Sequence, residues 1–479
     1  MTHDGYRFSI GHKRPKGGMR VEKMTRKTAY DKRITINKDS FTDLALGGAF
    51  VRQYSETVRY CPAWKKWFIW NGTNWEKDEC SEIHSLLKKF IRELYRKIPE
   101  VEDCRKALEI QNQIVKCESI RRRLSILASA QLEDSIRIAP KEFDRDPFLF
   151  NVRNGTIDLR TGELHEPMRD AYITKCAHVQ FDRDATHMEW DRFLDKVMAG
   201  NARMIGFLQK AIGWALTGDM REQVMFILFG TGANGKSTFL NVIMELFGNY
   251  AKSTQPDSFV KKHGNGISND IARLCGTRFV MTCEIDEGQH LSETLIKQIT
   301  GQDKLTARFL YGEFFEFLPT FKVFMATNQS PEIRGNDYGI WRRIKIIPFP
   351  VMISYEERDF NLMDKLRTEY AGILNWMIEG CLLWQKEGLG EPDEMRTAIT
   401  EYRDDMDIIS SFLQECCETE GQEQARIRSG DLYSAFASWC SRAGEEPYSK
   451  RMFAIYLESM GFQKGRDSQQ RFWKGIAFR

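Results

Sequence analysis

The chain has 479 residues, 42% hydrophobic and 12% aromatic, with a net charge of +3. Such a composition supplies real cores and excludes general disorder, and the length suggests roughly three domains. No apolar run approaches the ~20 residues that span a bilayer, and the polar, basic start lacks an apolar signal core, so a cytosolic protein without a membrane partner is expected, nucleoplasmic in a eukaryotic host. The 11 cysteines include no C-x-x-C pair and are read as reduced, mostly buried thiols.

Charge is unevenly spread: residues 1–38 carry +8 and residues 421–479 carry +4, which leaves about −9 between them. Basic ends on an acidic body suggest a polyanionic partner. Residues 1–39 follow neither a helical nor a strand period and read as a disordered basic arm, for phosphate contact or for solubility. Residues 40–185 read as an α/β unit. In it, Arg59 to Trp75 predicts a hairpin with Asn71-Gly72 in the turn and its aromatics in the core. Ile83, Leu86, Leu87, Phe90, Ile91 and Leu94 fall at helical spacing, and a second helical stretch covers about 101–131, with Arg121, Arg122 and Arg123 on a solvated face. Residues 154–163 read as a strand between tight turns, and no catalytic constellation stands out in this part.

Residues 186–222 read as helices leading into the apolar run Val224–Phe229. Gly230-Thr231-Gly232-Ala233-Asn234-Gly235-Lys236-Ser237 then fits G-x-x-x-x-G-K-[ST] at every fixed position, and a helical pattern beginning at Thr238 closes at Gly248. Strand, turn and helix in that order make a phosphate site. Glycines let backbone N–H groups close around phosphate oxygens, Lys236 reaches the β/γ-phosphates, and Ser237 ligates Mg²⁺. Residues Gly230 to Thr238 are therefore the expected contacts of a nucleoside triphosphate, ATP by default, with Mg²⁺.

The α/β core spans about 223–350. A short strand from Arg278 ends in Glu284, Asp286 and Glu287; Glu284 is the expected metal-side carboxylate, while Asp286 and Glu287 remain alternatives for the base. Residues 303–317 predict an aromatic hairpin, which in a ring motor would touch single-stranded DNA. The strand 321–327 ends in Asn328, a residue suited to orienting water against the γ-phosphate. Arg342 and Arg343 precede another strand, where an arginine is offered to a neighbour's nucleotide. Helices return over 354–403, and Asp404-Asp405-Met406-Asp407 marks a junction. The last segment, 406–479, has a helix-turn-helix character with a two-stranded wing. Its Lys450, Arg451, Lys464, Arg466, Arg471 and Lys474 suit DNA phosphates, and protein docking is the alternative.

The run from about 145 to 350 resembles the helicase part of phage and plasmid primase-helicases, the superfamily 3 helicases that include the poxvirus primase-helicase. The resemblance rests on FLFNVRNGTIDLRTGEL, FLQKAIGWALTG, FGTGANGKSTFL, DIARLCGTRFV, ETLIKQITGQDKLTARFLYGEFFEFLPTFKVFMATN and YGIWRRIKIIPF. It implies an AAA+-like P-loop NTPase core with flanking helices (186–405), an N-terminal α/β domain (40–185) and a C-terminal winged-helix-like domain (406–479). It also implies a homohexameric ring with ATP at each interface, moving 3′ to 5′ on DNA during replication of a phage, plasmid or mobile element, in the cytoplasm of a bacterial or phage-infected cell.

Carried over by position, Lys236 and Ser237 form the first motif, Glu284 with Asp286 or Glu287 the second, and Asn328 the sensor. Arg343 is the expected arginine finger with Arg342 behind it, and Lys297 is a weaker second cation. Two departures stand out. Ile285 separates Glu284 from Asp286, where many relatives have adjacent acids. Glu313 sits at the hairpin tip where several relatives have a basic residue, so Lys304, Arg308, Tyr311 and Lys322 are the expected DNA contacts. Only about 40 residues precede the α/β unit, so a separate primase or polymerase is expected as partner. An origin-remodelling initiator or loader without processive unwinding and an oligomeric scaffold or defence ATPase are the rival functions.

Overall fold

A computed structural model describes residues 41–260, 269–283, 290–310, 312–328, 338–405, 408–419, 425–444, 447–466 and 470–479. By internal contacts the chain divides into two units, Met1–Val58 with Ser81–Arg137, and Arg59–Cys80 with Ile138–Arg479. Residues 41–185 are thus shared between the units.

The described part of the first unit is helical: Asp43–Tyr54, Glu82–Tyr95, Cys104–Cys117 and Ile120–Ala130. Glu82–Tyr95 buries Ile83, Leu87, Phe90, Ile91 and Leu94, the stripe its spacing predicts. The stretch expected as one helix over 101–131 is two. Ser119 starts the second by accepting a hydrogen bond from Arg122 N, which turns the chain at Glu118. Only Arg121 of the three arginines is freely solvated, because Arg122 pairs with Asp43 at 2.6 Å and donates to the Phe41 carbonyl. Gly47 lets Asp43–Tyr54 cross Ile120–Ala130 closely: a Cβ there would lie 2.9 Å from Ala130 N.

The predicted hairpin is a three-stranded meander, Val58–Cys61, Lys66–Trp70 and Trp75–Lys77, which from Arg59 onward belongs to the second unit and has Asn71-Gly72 in its second turn. Another small antiparallel sheet holds Leu149–Val152, Gly155–Asp158 and Glu163–His165.

The centre of this unit is a five-stranded, all-parallel sheet. Its strands are β1 (Met225–Phe229), β2 (Ala251–Ser253), β3 (Phe279–Cys283), β4 (Lys322–Thr327) and β5 (Ile344–Pro348), in spatial order β5-β1-β4-β3-β2. Continuous apolar runs are what a sheet covered on both faces demands. Phe226, Leu228, Phe279, Met281, Phe324 and Ala326 join a core with the helices Met188–Val197, Ala202–Ala215, Lys236–Phe247 and Tyr370–Glu387. Their alternates Met225, Ile227, Val280, Val323 and Met325 pack on the other face with Ile296, Ile299, Leu305 and Phe317. Gly213 and Gly380 let Ala202–Ala215 and Tyr370–Glu387 touch backbone to backbone, since a Cβ on either would come 2.1 Å from the opposite main chain.

The C-terminal region runs helix Ile408–Cys416, strand Arg426–Arg428, helices Ser429–Ala443 and Lys450–Ser459, then strands Gln463–Arg466 and Arg471–Lys474. The last strand lies between the other two. Leu432, Phe436, Phe453, Leu457 and Trp473 close its core. All 11 cysteines are free, and five are buried, fewer than expected. Among the described residues no helix is long and apolar enough to cross a membrane.

Candidate functional site

The sheet register assembles the site. Phe229 of β1 pairs with Thr327 of β4, so the next residues, Gly230 and Asn328, leave the carboxyl edge side by side. From Gly230 the chain turns through Gly232 and Ala233, both at positive φ, and Gly235, at φ +87°, caps the helix Lys236–Phe247. Gly230 admits no side chain: a Cβ would sit 2.2 Å from Asn234 Nδ2 and 2.7 Å from the Phe349 carbonyl oxygen. At Gly235 a Cβ would meet Val197 Cγ1 at 2.6 Å, so Met188–Val197 buttresses the loop from one side. On the other side Ile353 N donates to the Ala233 carbonyl at 2.8 Å.

Inside this turn the Lys236 ammonium, only 5% exposed, donates to three oxygens: Gly230 O at 2.7 Å, Asn328 Oδ1 at 2.9 Å and Asn234 Oδ1 at 3.0 Å. Asn234 Nδ2 is buried and has no hydrogen-bond partner among the described residues. A buried cation, a spare amide donor and the positive end of a helix fit an oxyanion, and the donor set suits phosphate. Thr231 and Ser237 are exposed on the loop and in the first helical turn, and Thr238 is half-buried behind them. Asn328 was legible as a polar end to an apolar strand. Its bond to Lys236 was not, because strand order is absent from the sequence.

β3 ends at the same edge with Cys283. Glu284, Asp286 and Glu287, the expected acids, lie outside the described residues, as does Tyr311. Arg342 and Arg343 sit at the opposite edge. Ile344 pairs with Met225 at the start of β1, and the four residues onward to Pro348 opposite Phe229 span about 13 Å. Arg343 Nη1 donates to Thr300 Oγ1 at 3.2 Å and Gln223 Oε1 at 3.3 Å, and burial and then Arg342 hold its guanidinium pKa below the usual value. Arg342 is exposed. Arg343 is thus held by its own chain, and Arg342 is the exposed member of the pair. Lys297 is half-buried on the helix Glu293–Thr300, whose Thr300 receives Arg343.

The predicted hairpin is present, Leu305–Arg308 pairing with Phe314–Phe317. Arg308 lies over the Phe314 ring at 4.9 Å, Lys304 pairs with Glu316 at 3.2 Å, and Phe309, Leu310 and Phe314 are exposed. Lys322 is not part of that surface. It is fully buried, donates to the carbonyls of Thr217 at 2.5 Å and Thr320 at 3.3 Å, and sits 4.9 Å from the Trp214 ring centre. Burial and the nearby Arg278 push its pKa well down. A lysine heading four apolar strand residues was the available signal of an interior role.

Fold and site together define a mixed α/β protein with a parallel core whose first strand hands over to a lysine-bearing Gly-rich loop. Three stretches match known families: residues 47–199 one described as D5 N terminal like, residues 228–343 a family of unknown function, and residues 404–474 one described as Poxvirus D5 protein-like. Its first and last matched stretches are thus similar to D5-type families, in line with the resemblance its motifs carry. It is 26% identical over 62% of its length to a protein named "Putative helicase" in Acanthamoeba polyphaga mimivirus, covering 33% of that protein. It is 22% identical over 56% to one of the same name in Sputnik virophage, covering 36%. A "Putative primase" of African swine fever virus is 20% identical over 62%, with 33% covered. The chain spans about a third of the length of these curated relatives. The fold is similar to the NrS-1 C-terminal region, with a TM-score of 0.50 and 11% identity over 92% of this chain and 100% of that one.

Proposed function

We propose that this protein is an ATP-dependent, ring-forming DNA helicase of the superfamily 3 type, acting in replication of a virus, phage or other mobile element. The observation that carries the reading is the meeting of Lys236 with Gly230, Asn234 and Asn328 at the carboxyl edge of the sheet. In ATP, a phosphate oxygen takes the place of these neutral oxygens around the ammonium. Residues Gly230 to Thr238 cradle the phosphates, Ser237 and Glu284 hold Mg²⁺, and Asp286 or Glu287 takes the proton from the attacking water. The strand order β5-β1-β4-β3-β2 supports an AAA+-like core.

Arg342 is exposed at the sheet edge opposite its own loop, which supports delivery to a neighbour's γ-phosphate and hence ATP at subunit interfaces of a homohexamer. The hairpin, with Lys304, Arg308, Tyr311 and exposed aromatics, is assigned to single-stranded DNA in the pore. The C-terminal alternation of helices and a three-stranded wing supports a winged-helix-like module, with Lys450, Arg451, Arg466, Arg471 and Lys474 exposed for duplex phosphates. A separate primase or polymerase is the expected companion. The test is strand displacement on a forked duplex with ATP and Mg²⁺, alongside native mass measurement. Long-strand displacement by the wild type and its loss in Lys236→Ala are expected; hydrolysis without displacement would reduce the protein to an origin-remodelling ATPase.

A further inference from the structure

The chain leaving β5 does not return directly to a helix. From Phe349, whose N–H bonds the Phe229 carbonyl at 2.8 Å, it runs beside the Gly-rich loop to Ile353, which bonds Ala233. It then makes a turn in which Glu357 N donates to Ser354 O and Arg358 N to Tyr355 O. That turn sets the rings of Tyr355 and Phe360 edge to face, 6.0 Å apart at 67°, with the Arg358 guanidinium 5.9 Å from the Tyr355 ring centre. Lys196, from the helix that buttresses Gly235, pairs with Glu357 at 3.6 Å and so ties the turn to the far side of the same loop.

Burial does not explain the rings, because Tyr355 is 69% and Phe360 77% exposed. Single exposed apolar side chains are ordinary, but two aromatics on one anchored turn, with a guanidinium beside one of them, form an exposed pair of ring faces. Tyr355 stands two residues beyond the contact with Ala233, at most about 7 Å along the chain.

We propose that Tyr355 and Phe360, steered by Arg358, form the site for the nucleobase of the triphosphate whose phosphates the Gly-rich loop binds. This rests on the nucleotide reading given above and adds the part of the ligand that the loop itself cannot recognise. An exposed ring face takes a base by stacking, which tolerates either purine and favours the larger ring system over a pyrimidine.

Titration calorimetry of the full chain with ATP, CTP and inorganic tripolyphosphate separates base from phosphate recognition. The wild type is expected to bind ATP more tightly than CTP, and both more tightly than tripolyphosphate. Tyr355→Ala combined with Phe360→Ala should weaken ATP about 5- to 150-fold, the range that ~1–3 kcal/mol of base stacking converts to, and leave tripolyphosphate unchanged. Tyr355→Phe should keep the wild-type ATP affinity. Equal losses for ATP and tripolyphosphate would make the turn a mere support of the loop. No loss for either, with or without a defect in assembly, would assign the rings to something other than the base. Both outcomes overturn the proposal while leaving the phosphate site standing. A wild type that binds neither ATP nor tripolyphosphate would remove the nucleotide reading itself.

Discussion

Two lysines at opposite edges of the same sheet, Lys236 and Lys322, are both withdrawn from water, at 5% and 0% exposure, and both donate to backbone carbonyls. They differ in what surrounds those bonds. Lys236 opens a helix at the carboxyl edge, and the carboxamide oxygens of Asn234 and Asn328, to which it donates, can rotate away. Lys322 opens β4 at the opposite edge, between main-chain carbonyls and the fully buried Trp214, with Arg278 nearby. A buried cation becomes a ligand-binding group when its acceptors are exchangeable, and a structural one when they are fixed.

Lys236→Ala sharpens this contrast most. It should lower ATP turnover about 10²- to 10³-fold, the scale for losing one aimed donor, with little change in melting temperature. Steady-state hydrolysis and calorimetry read the two quantities. Gly230→Ala should follow, because its Cβ would displace Asn234 and press on Phe349. At least a ten-fold loss of ATP affinity is expected, and wild-type affinity would show that the loop adapts freely.

Lys322→Met inverts the pattern: turnover at saturating ATP should hold, while unfolding in urea should report a loss of about 1–3 kcal/mol from carbonyls left without a donor. The depressed pKa adds a pH signature. Between the lowered folded value and the ordinary lysine value near ~10.4, the unfolded chain binds a proton that the folded one lacks, so this group's contribution to stability rises with pH. Below the folded value both states are protonated and the rise stops. The wild-type curve of unfolding free energy against pH should therefore climb more steeply than that of Lys322→Met, and parallel curves would refute the lowered pKa.

The smallest effect belongs to Lys304→Ala. Its exposed pair with Glu316 contributes at most about 1 kcal/mol, so stability should barely move. Single-stranded DNA affinity should fall modestly, and its salt slope should drop by about 0.7 if the ammonium meets one phosphate.

The Gly-rich turn was legible because glycine spacing, an apolar strand and the helix after it are local features. So were the helix Glu82–Tyr95 and the hairpin, each written as a period within one segment. Lys322 was misjudged, and the surroundings of Arg343 were not legible, because side-chain surroundings depend on strand order: Lys322 faces Trp214 and Thr217 from over a hundred residues earlier, and Arg343 finds Thr300 and Gln223. Tyr355 and Phe360 passed unnoticed because the turn that pairs them has no period at all.

The placement of Arg342 and Lys236 on opposite rims of one sheet has a geometric consequence. If each rim serves the other's partner, contacting surfaces cannot be self-complementary, and copies must add head to tail, closing only when the rotation per step divides a full circle. A mixture of Lys236→Ala and Arg342→Ala chains would then regain hydrolysis at those junctions where an intact turn meets an intact arginine, although neither variant is active alone.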